Sequence, residues 1–193
     1  MQKYDEPRAV IEDITPAIDC GRFPVKRVVG ESICVEASVF ADGHEELAVV
    51  LLHKAQEDEE WHRTPMEPLG NDTWRASFKV SQVGQYLYTV SAWVDGFETW
   101  RTRLLKRLEA GQDISVELLI GANLLERAAA RADPSDADGL RDAARALRAS
   151  DTAARAAVLA ADSLAVELAR RNSDVSGAVT LSLIHISEPT RPY

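Results

Sequence analysis

Cysteine is nearly missing. Cys20 and Cys34 are the only two among 193 residues, too few for a disulfide framework and not spaced as a CxxC zinc or redox pair. Both are read as buried or idle thiols. A basic surplus is missing too: 22 Lys and Arg stand against 31 Asp and Glu, for a formal net charge of -9. Such a surface repels backbone phosphates, so no nucleic-acid partner is expected. No stretch is long and apolar enough to cross a bilayer, and Met1 to Pro7 carries no apolar run behind its positive charge, so a cytoplasmic location without a membrane partner is expected.

Signatures of chemistry are equally scarce. There is no GxSxG elbow and no glycine loop of the phosphate-cradling kinds. His44, His53 and His62 recur at steps of nine, which places them on neither one helical face nor alternate positions of one strand, so no metal triad is expected. Glu57-Asp58-Glu59-Glu60 beside Trp61 reads as a solvated loop, because retaining glycoside chemistry needs two carboxyls held about 5 Å apart across a sugar. Sequence therefore assigns no catalytic, cofactor-binding or metal-binding residue, and no cofactor.

Aromatics are absent from the second half: apart from Tyr193, every Phe, Trp and Tyr lies at or before Trp100. Before that boundary the chain alternates with period two. Ile33, Val35, Ala37 and Val39 oppose Cys34, Glu36 and Ser38; Trp74, Ala76, Phe78 and Val80 oppose Arg75, Ser77 and Lys79; Tyr86, Tyr88, Val90, Ala92 and Val94 form a third set. Each pattern predicts a half-buried strand. A fourth apolar run, Leu47 to Leu52, follows Asp42-Gly43, a pair suited to the positive φ of a tight hairpin, and Gly70-Asn71-Asp72 and Asp95-Gly96 punctuate the chain likewise. With 46% apolar residues a real core is available. The expected first domain is a β-sandwich of immunoglobulin or fibronectin type over residues 1–104.

Residues 105–175 are expected to be an α-helical bundle of about three helices. Leu118, Ala122, Leu125 and Ala129 step along one face of the first. Asp133-Pro134-Ser135-Asp136 separates it from the second, whose face is Leu140, Ala144 and Leu147. Ser150-Asp151 offers a cap for the third, carrying Ala154, Val158, Ala161, Ala165 and Leu168. Alanine-rich stripes bury little area, and at about 25 cal/mol per Å² such a bundle is expected to lean on the sandwich or on a partner chain. Residues 176–193 fit neither half. From Leu181 to Tyr193 they resemble the translated read-through of a sequencing adapter, so this tail is expected to be foreign and removable without loss of stability.

Trp93, Phe97 and Trp100 are the candidate site residues. Trp93 alternates away from the Tyr86-to-Val94 face and the other two follow Asp95-Gly96. Their rings could stack on a sugar or meet another protein surface, or they could complete the second face of the sandwich or lie under the helices.

Several strings resemble one family, the (1→4)-α-D-glucan:maltose-1-phosphate maltosyltransferases of the α-amylase clan. They run Asp19 to Arg27, Val39 to His44, Pro65 to Arg75, Tyr88 to Asp95 and Ala110 to Asp113. The resemblance implies a cytoplasmic bacterial homodimer that passes maltosyl units from maltose 1-phosphate to an α-glucan with retention. It implies an Asp nucleophile and a Glu acid/base on a (β/α)₈ barrel, without metal or organic cofactor. A barrel takes about 250 residues and none is legible here. The chain is therefore expected to be the truncated, non-catalytic N-terminal region, inactive alone and serving scaffolding and dimerisation. Its sandwich is expected to lack a closing strand, leaving an exposed edge. Two other readings stand beside it: a free-standing carbohydrate-binding module, and a purely structural sandwich joined to an oligomerising bundle.

Overall fold

A computed structural model describes residues 8–17, 25–150, 152–181 and 184–186. These divide into two compact units, one within Met1–Gly43, Leu47–Val94 and Gly177–Tyr193, the other within His44–Glu46 and Asp95–Ser176. Cys20, Asp151, residues 19–24 of the first matching string and residues 187–193 lie outside the described residues.

Among the described residues the first unit is all β. Its strands are β1 (Ala9–Thr15), β2 (Ser32–Ala41), β3 (Leu47–Ala55), β4 (His62–Pro65), β5 (Glu67–Gly70), β6 (Thr73–Lys79), β7 (Tyr86–Val94), β8 (Val179–Thr180) and β9 (Ile184–Ile186). One antiparallel sheet runs β1-β2-β6-β5; the other runs β4-β3-β7, with β8 and β9 both on the far edge of β7. Period-two patterning sets the register. Ile33 pairs with Phe78, Val35 with Ala76 and Ala37 with Trp74, so the inward residues of β2 and β6 share a face. Val49 and Leu51 of β3 and Tyr88 and Val90 of β7 meet that face, closing one core between the two sheets. At Gly70, Asn71 and Asp72 φ is +92, +48 and +58, so the β5–β6 turn takes the left-handed backbone that Gly, Asn and Asp tolerate best.

Three expectations need correction. First, β7 does not alternate: every residue from Tyr88 to Trp93 is buried, because both of its faces are covered. Second, the closing strand is present. Ala92 pairs with Val179 and Ser91 with Thr180, Leu181 N–H donates to Val90, and Tyr88 pairs with Ile184. Third, part of the supposedly foreign tail is built into the sandwich, since Ile184 is 2% exposed in its core. The alternation Ile184-His185-Ile186 suits an edge position whatever its origin.

The second unit is all α: α1 (Gly96–Glu109), α2 (Ser115–Arg131), α3 (Pro134–Arg148), α4 (Ala153–Ala160) and α5 (Ser163–Arg171). Helix therefore begins at Gly96, inside the 1–104 span assigned to the sandwich. The physical reason is Asp95, whose Oδ1 accepts from Phe97 N–H and Glu98 N–H at 3.0 and 2.9 Å; Asp95-Gly96 is a helix start, not a hairpin turn. Gly111, at φ +63, ends α1 in a Schellman turn, its N–H on Leu108 and that of Gln112 on Arg107. Leu118, Ala122, Leu125 and Ala129 form the buried face of α2, and Leu140, Ala144 and Leu147 that of α3, as their spacing predicts. The single third helix does not hold. Asp162 caps a new helix by accepting from Leu164 N–H at 3.0 Å, leaving Val158 70% exposed while Ala156 and Ala160 carry the buried face of α4. The side chain of Ala154 lies outside the described residues.

Candidate functional site

The three candidate aromatics are not brought together on an open surface. Trp93 belongs to the β unit, is 6% exposed, and its Nε1 has no hydrogen-bond partner. Phe97 and Trp100 stand on α1, three residues apart, with ring centres 5.2 Å apart at 46°. Phe97 is half-buried. Trp100 is 2% exposed and donates from Nε1 to the Glu117 carbonyl at 2.7 Å, its ring packed close against the α-carbon of Gly121. The stacking reading therefore fails for Trp93 and Trp100, whose covered rings leave no face for a sugar. Trp100 completes the core of the helical unit.

Of the histidines, β-pairing unites His53 and His62, register partners on β3 and β4, whereas His44 falls in the helical unit. The His53 ring is sandwiched between Phe78, 4.3 Å away at 14°, and His62, 5.3 Å away at 28°. Burial foremost, then the neighbouring His62, pushes His53 down to about 4, so it is neutral at physiological pH. Among the described residues no three His, Cys, Asp or Glu side chains converge as metal ligands. The acidic run serves its own turn. Asp58 accepts from Ala55 N–H at 3.2 Å while Lys54 Nζ reaches the Asp58 carbonyl at 2.6 Å and lies 5.4 Å from the Trp61 ring centre. Cys34 points outward from β2 and is exposed.

Two features escape the sequence patterns. Val116, Leu119 and Ile120 form a second apolar stripe on α2, 64, 54 and 36% exposed. Its signal is the run Leu118-Leu119-Ile120, of which a helix can bury only part. Glu117, beside them, is 4% exposed; Arg107 Nε approaches one oxygen at 3.2 Å and its Oε2 has no partner. At one end of the sandwich, the β3–β4 and β6–β7 turns enclose a cleft of about 340 Å³ lined by Gln56, Glu57, Gln82, Val83, Gln85 and Tyr86, among others. No sequence motif marks it, because it arises where turns distant in sequence meet.

Comparison with known proteins places these features in context. A family model described as "Alpha-1,4-glucan:maltose-1-phosphate maltosyltransferase, domain N/S" matches residues 7–183. A protein of that name from Chlorobaculum tepidum is 50% identical over 133 residues, 69% of this chain and 20% of its own length. One from Myxococcus xanthus is 42% identical over 175 residues, 86% of this chain and 25% of its own. One from Rhodospirillum rubrum is 38% identical over 185 residues, 88% of this chain and 27% of its own. The chain thus spans between a fifth and about a quarter of the length of these relatives.

Proposed function

Since the chain belongs to the alpha-1,4-glucan:maltose-1-phosphate maltosyltransferase family, through its N/S domain, we propose that it is the non-catalytic N-terminal part of a cytoplasmic enzyme that elongates α-1,4-glucans from maltose 1-phosphate with retention. On this reading it performs no transfer alone, and its helical unit helps hold two copies of the enzyme together. Donor and acceptor are handled by the greater part of the family's length, which this chain does not span.

The α2 stripe supports the dimer reading. Three large apolar side chains at positions i, i+3 and i+4, up to 64% exposed, make one continuous helical face of the kind that a second protein surface covers. Sedimentation or light-scattering mass of the purified chain tests it. A concentration-dependent dimer is expected, and Leu119→Asp with Ile120→Asp should leave monomer, because burying two carboxylates without partners is costly. A wild-type chain that stays monomeric at high concentration refutes the dimer. Phosphate release from maltose 1-phosphate in the presence of glycogen should be nil, and turnover above background would refute the non-catalytic reading.

A further inference from the structure

We infer that the far edge of β7 is a strand-receiving surface, open to an extended, uncharged segment of another polypeptide that displaces the chain's own tail. On its near side β7 meets β3 in an unbroken ladder that runs the full length of both strands. On the far side the cover comes in two short pieces, β8 of two residues and β9 of three. The pieces are also out of step. Thr180 lies opposite Ser91 and Ile184 opposite Tyr88, so the tail spends four residue steps where β7 spends three. That extra residue interrupts the ladder. A strand without it would pair along all of residues 86–92 and make bonds that the tail forgoes.

The edge itself sets what it takes. Tyr86, Tyr88, Val90 and Ala92 belong to the core between the sheets, and side chains directly opposite share their face. Val179 and Leu181 accordingly pack against that core and Ile184 is buried in it. Apolar residues are therefore wanted at alternate positions. Between them Thr89 and Ser91 are 2% and 7% exposed, and their hydroxyls are met by the tail: Thr89 Oγ1 donates to the Leu181 carbonyl at 2.7 Å, and Ser91 Oγ lies 3.1 Å from Thr180 Oγ1. A hydroxyl-bearing residue suits the place opposite Ser91. No charged residue occurs from 86 to 92, so nothing on this stretch of β7 would partner a charge brought against it. In strand addition the main-chain bonds supply affinity and the alternate side-chain places supply selectivity. This surface is separate from the α2 stripe and does not depend on the dimer.

Fluorescence anisotropy of a labelled peptide that copies residues 179–186 with Leu183 left out, titrated with the full chain, tests the surface. Saturable binding is expected, and a scrambled peptide of the same composition should not bind. Ile184→Ala in the chain loosens the tail, and the peptide's own isoleucine refills the emptied place, so binding should tighten about fivefold or more. Deleting Leu183 from the chain puts the tail in step. That variant should bind the peptide about fivefold or more weakly and unfold at higher denaturant, and it decides the matter even if Ile184→Ala fails to fold. No saturable binding to the wild-type chain, equal binding of the scrambled peptide, or an affinity indifferent to the Leu183 deletion would overturn the proposal. Conversion of a dimer to monomer by the peptide would assign the edge to the tail of a second copy and overturn the outside partner.

Discussion

Gly121 on α2 offers the sharpest test of how the helical unit is packed. A methyl group added to its α-carbon would lie 2.0, 2.3 and 2.6 Å from Cζ2, Cε2 and Cη2 of Trp100, well inside contact distance. In an open helix Gly→Ala gains about 1 kcal/mol. Here the indole cannot give way without losing its bond to the Glu117 carbonyl, and it is only 2% exposed. Overpacking costs about 1–3 kcal/mol, and loss of that bond with a donor left buried about 1–3 more. After the helix gain, Gly121→Ala should destabilise the helical unit by about 1–5 kcal/mol. At about 4–8 °C per kcal/mol for a domain of this size, its melting temperature should fall by roughly 4 °C or more. Thermal melts followed at 222 nm and by Trp fluorescence read this directly. Trp100→Leu in the same chain should recover part of the loss, giving a coupling of about 1 kcal/mol or more in the double-mutant cycle. If Gly121→Ala proves as stable as wild type, or more so, the close packing of ring on backbone is wrong.

Three further outcomes are expected. Ile184→Ala should cost about 2–4 kcal/mol by emptying a core position, and removing 184–193 should lower stability, against the reading of that tail as dispensable; chemical denaturation of the two chains decides. Asp95→Ala should cost about 1 kcal/mol as a lost cap, whereas Asp95→Asn keeps the bonds. Burial raises the Asp95 carboxyl above its ordinary value, so its ionisation weighs against folding as pH climbs from the unfolded value through the folded one. The Asn variant should therefore gain on wild type as pH rises from the ordinary 3.8 through the raised folded value, and a constant difference would refute the burial argument. His53, lowered from 6.5 to about 4, works in the opposite sense: stability is intact above 6.5 and is lost as pH falls toward 4, where the unfolded chain takes the proton first. Discounted for its open half, the loss is about 1–2 kcal/mol, and His53→Gln should flatten it in denaturant titrations across that window.

The strands that face the core with one side were legible from alternation: Ile33 to Val39 and Trp74 to Val80 lie where period two puts them. β4 and β5 were not, because four-residue edge strands have exposed side chains and follow no hydrophobic period. β1 also escaped, since its pairing register shifts between Ile11 and Asp13 and breaks the alternation. The helical faces of α2 and α3 were readable from leucine and alanine spacing. The start of α1 was not, since Asp-Gly serves equally as hairpin turn and as cap followed by first helical residue. The aromatics misled for a related reason: a Trp signals large buried area as readily as a binding platform, and what covers Trp100 is Gly121, whose lack of a side chain leaves no pattern to see. The cleft at the end of the sandwich was invisible because its lining residues come from turns separated by the whole of β4, β5 and β6.

The pairing of Ala92 with Val179 has a consequence for the order of events during synthesis. β7 leaves the ribosome before the five helices of the described residues, and the strand that covers its free edge leaves after them. At roughly 5–20 residues per second that edge stands unprotected for several seconds or more, a window in which strands of a neighbouring nascent chain can add to it. The helices, rich in local contacts, fold fast. A collapsed insert also leaves a shorter loop to close than an unstructured one of the same length. The timing of the sheet's completion is thereby handed to the helical unit, so lesions in that unit, Gly121→Ala among them, should surface as aggregation during expression before they surface as lost stability in the purified chain.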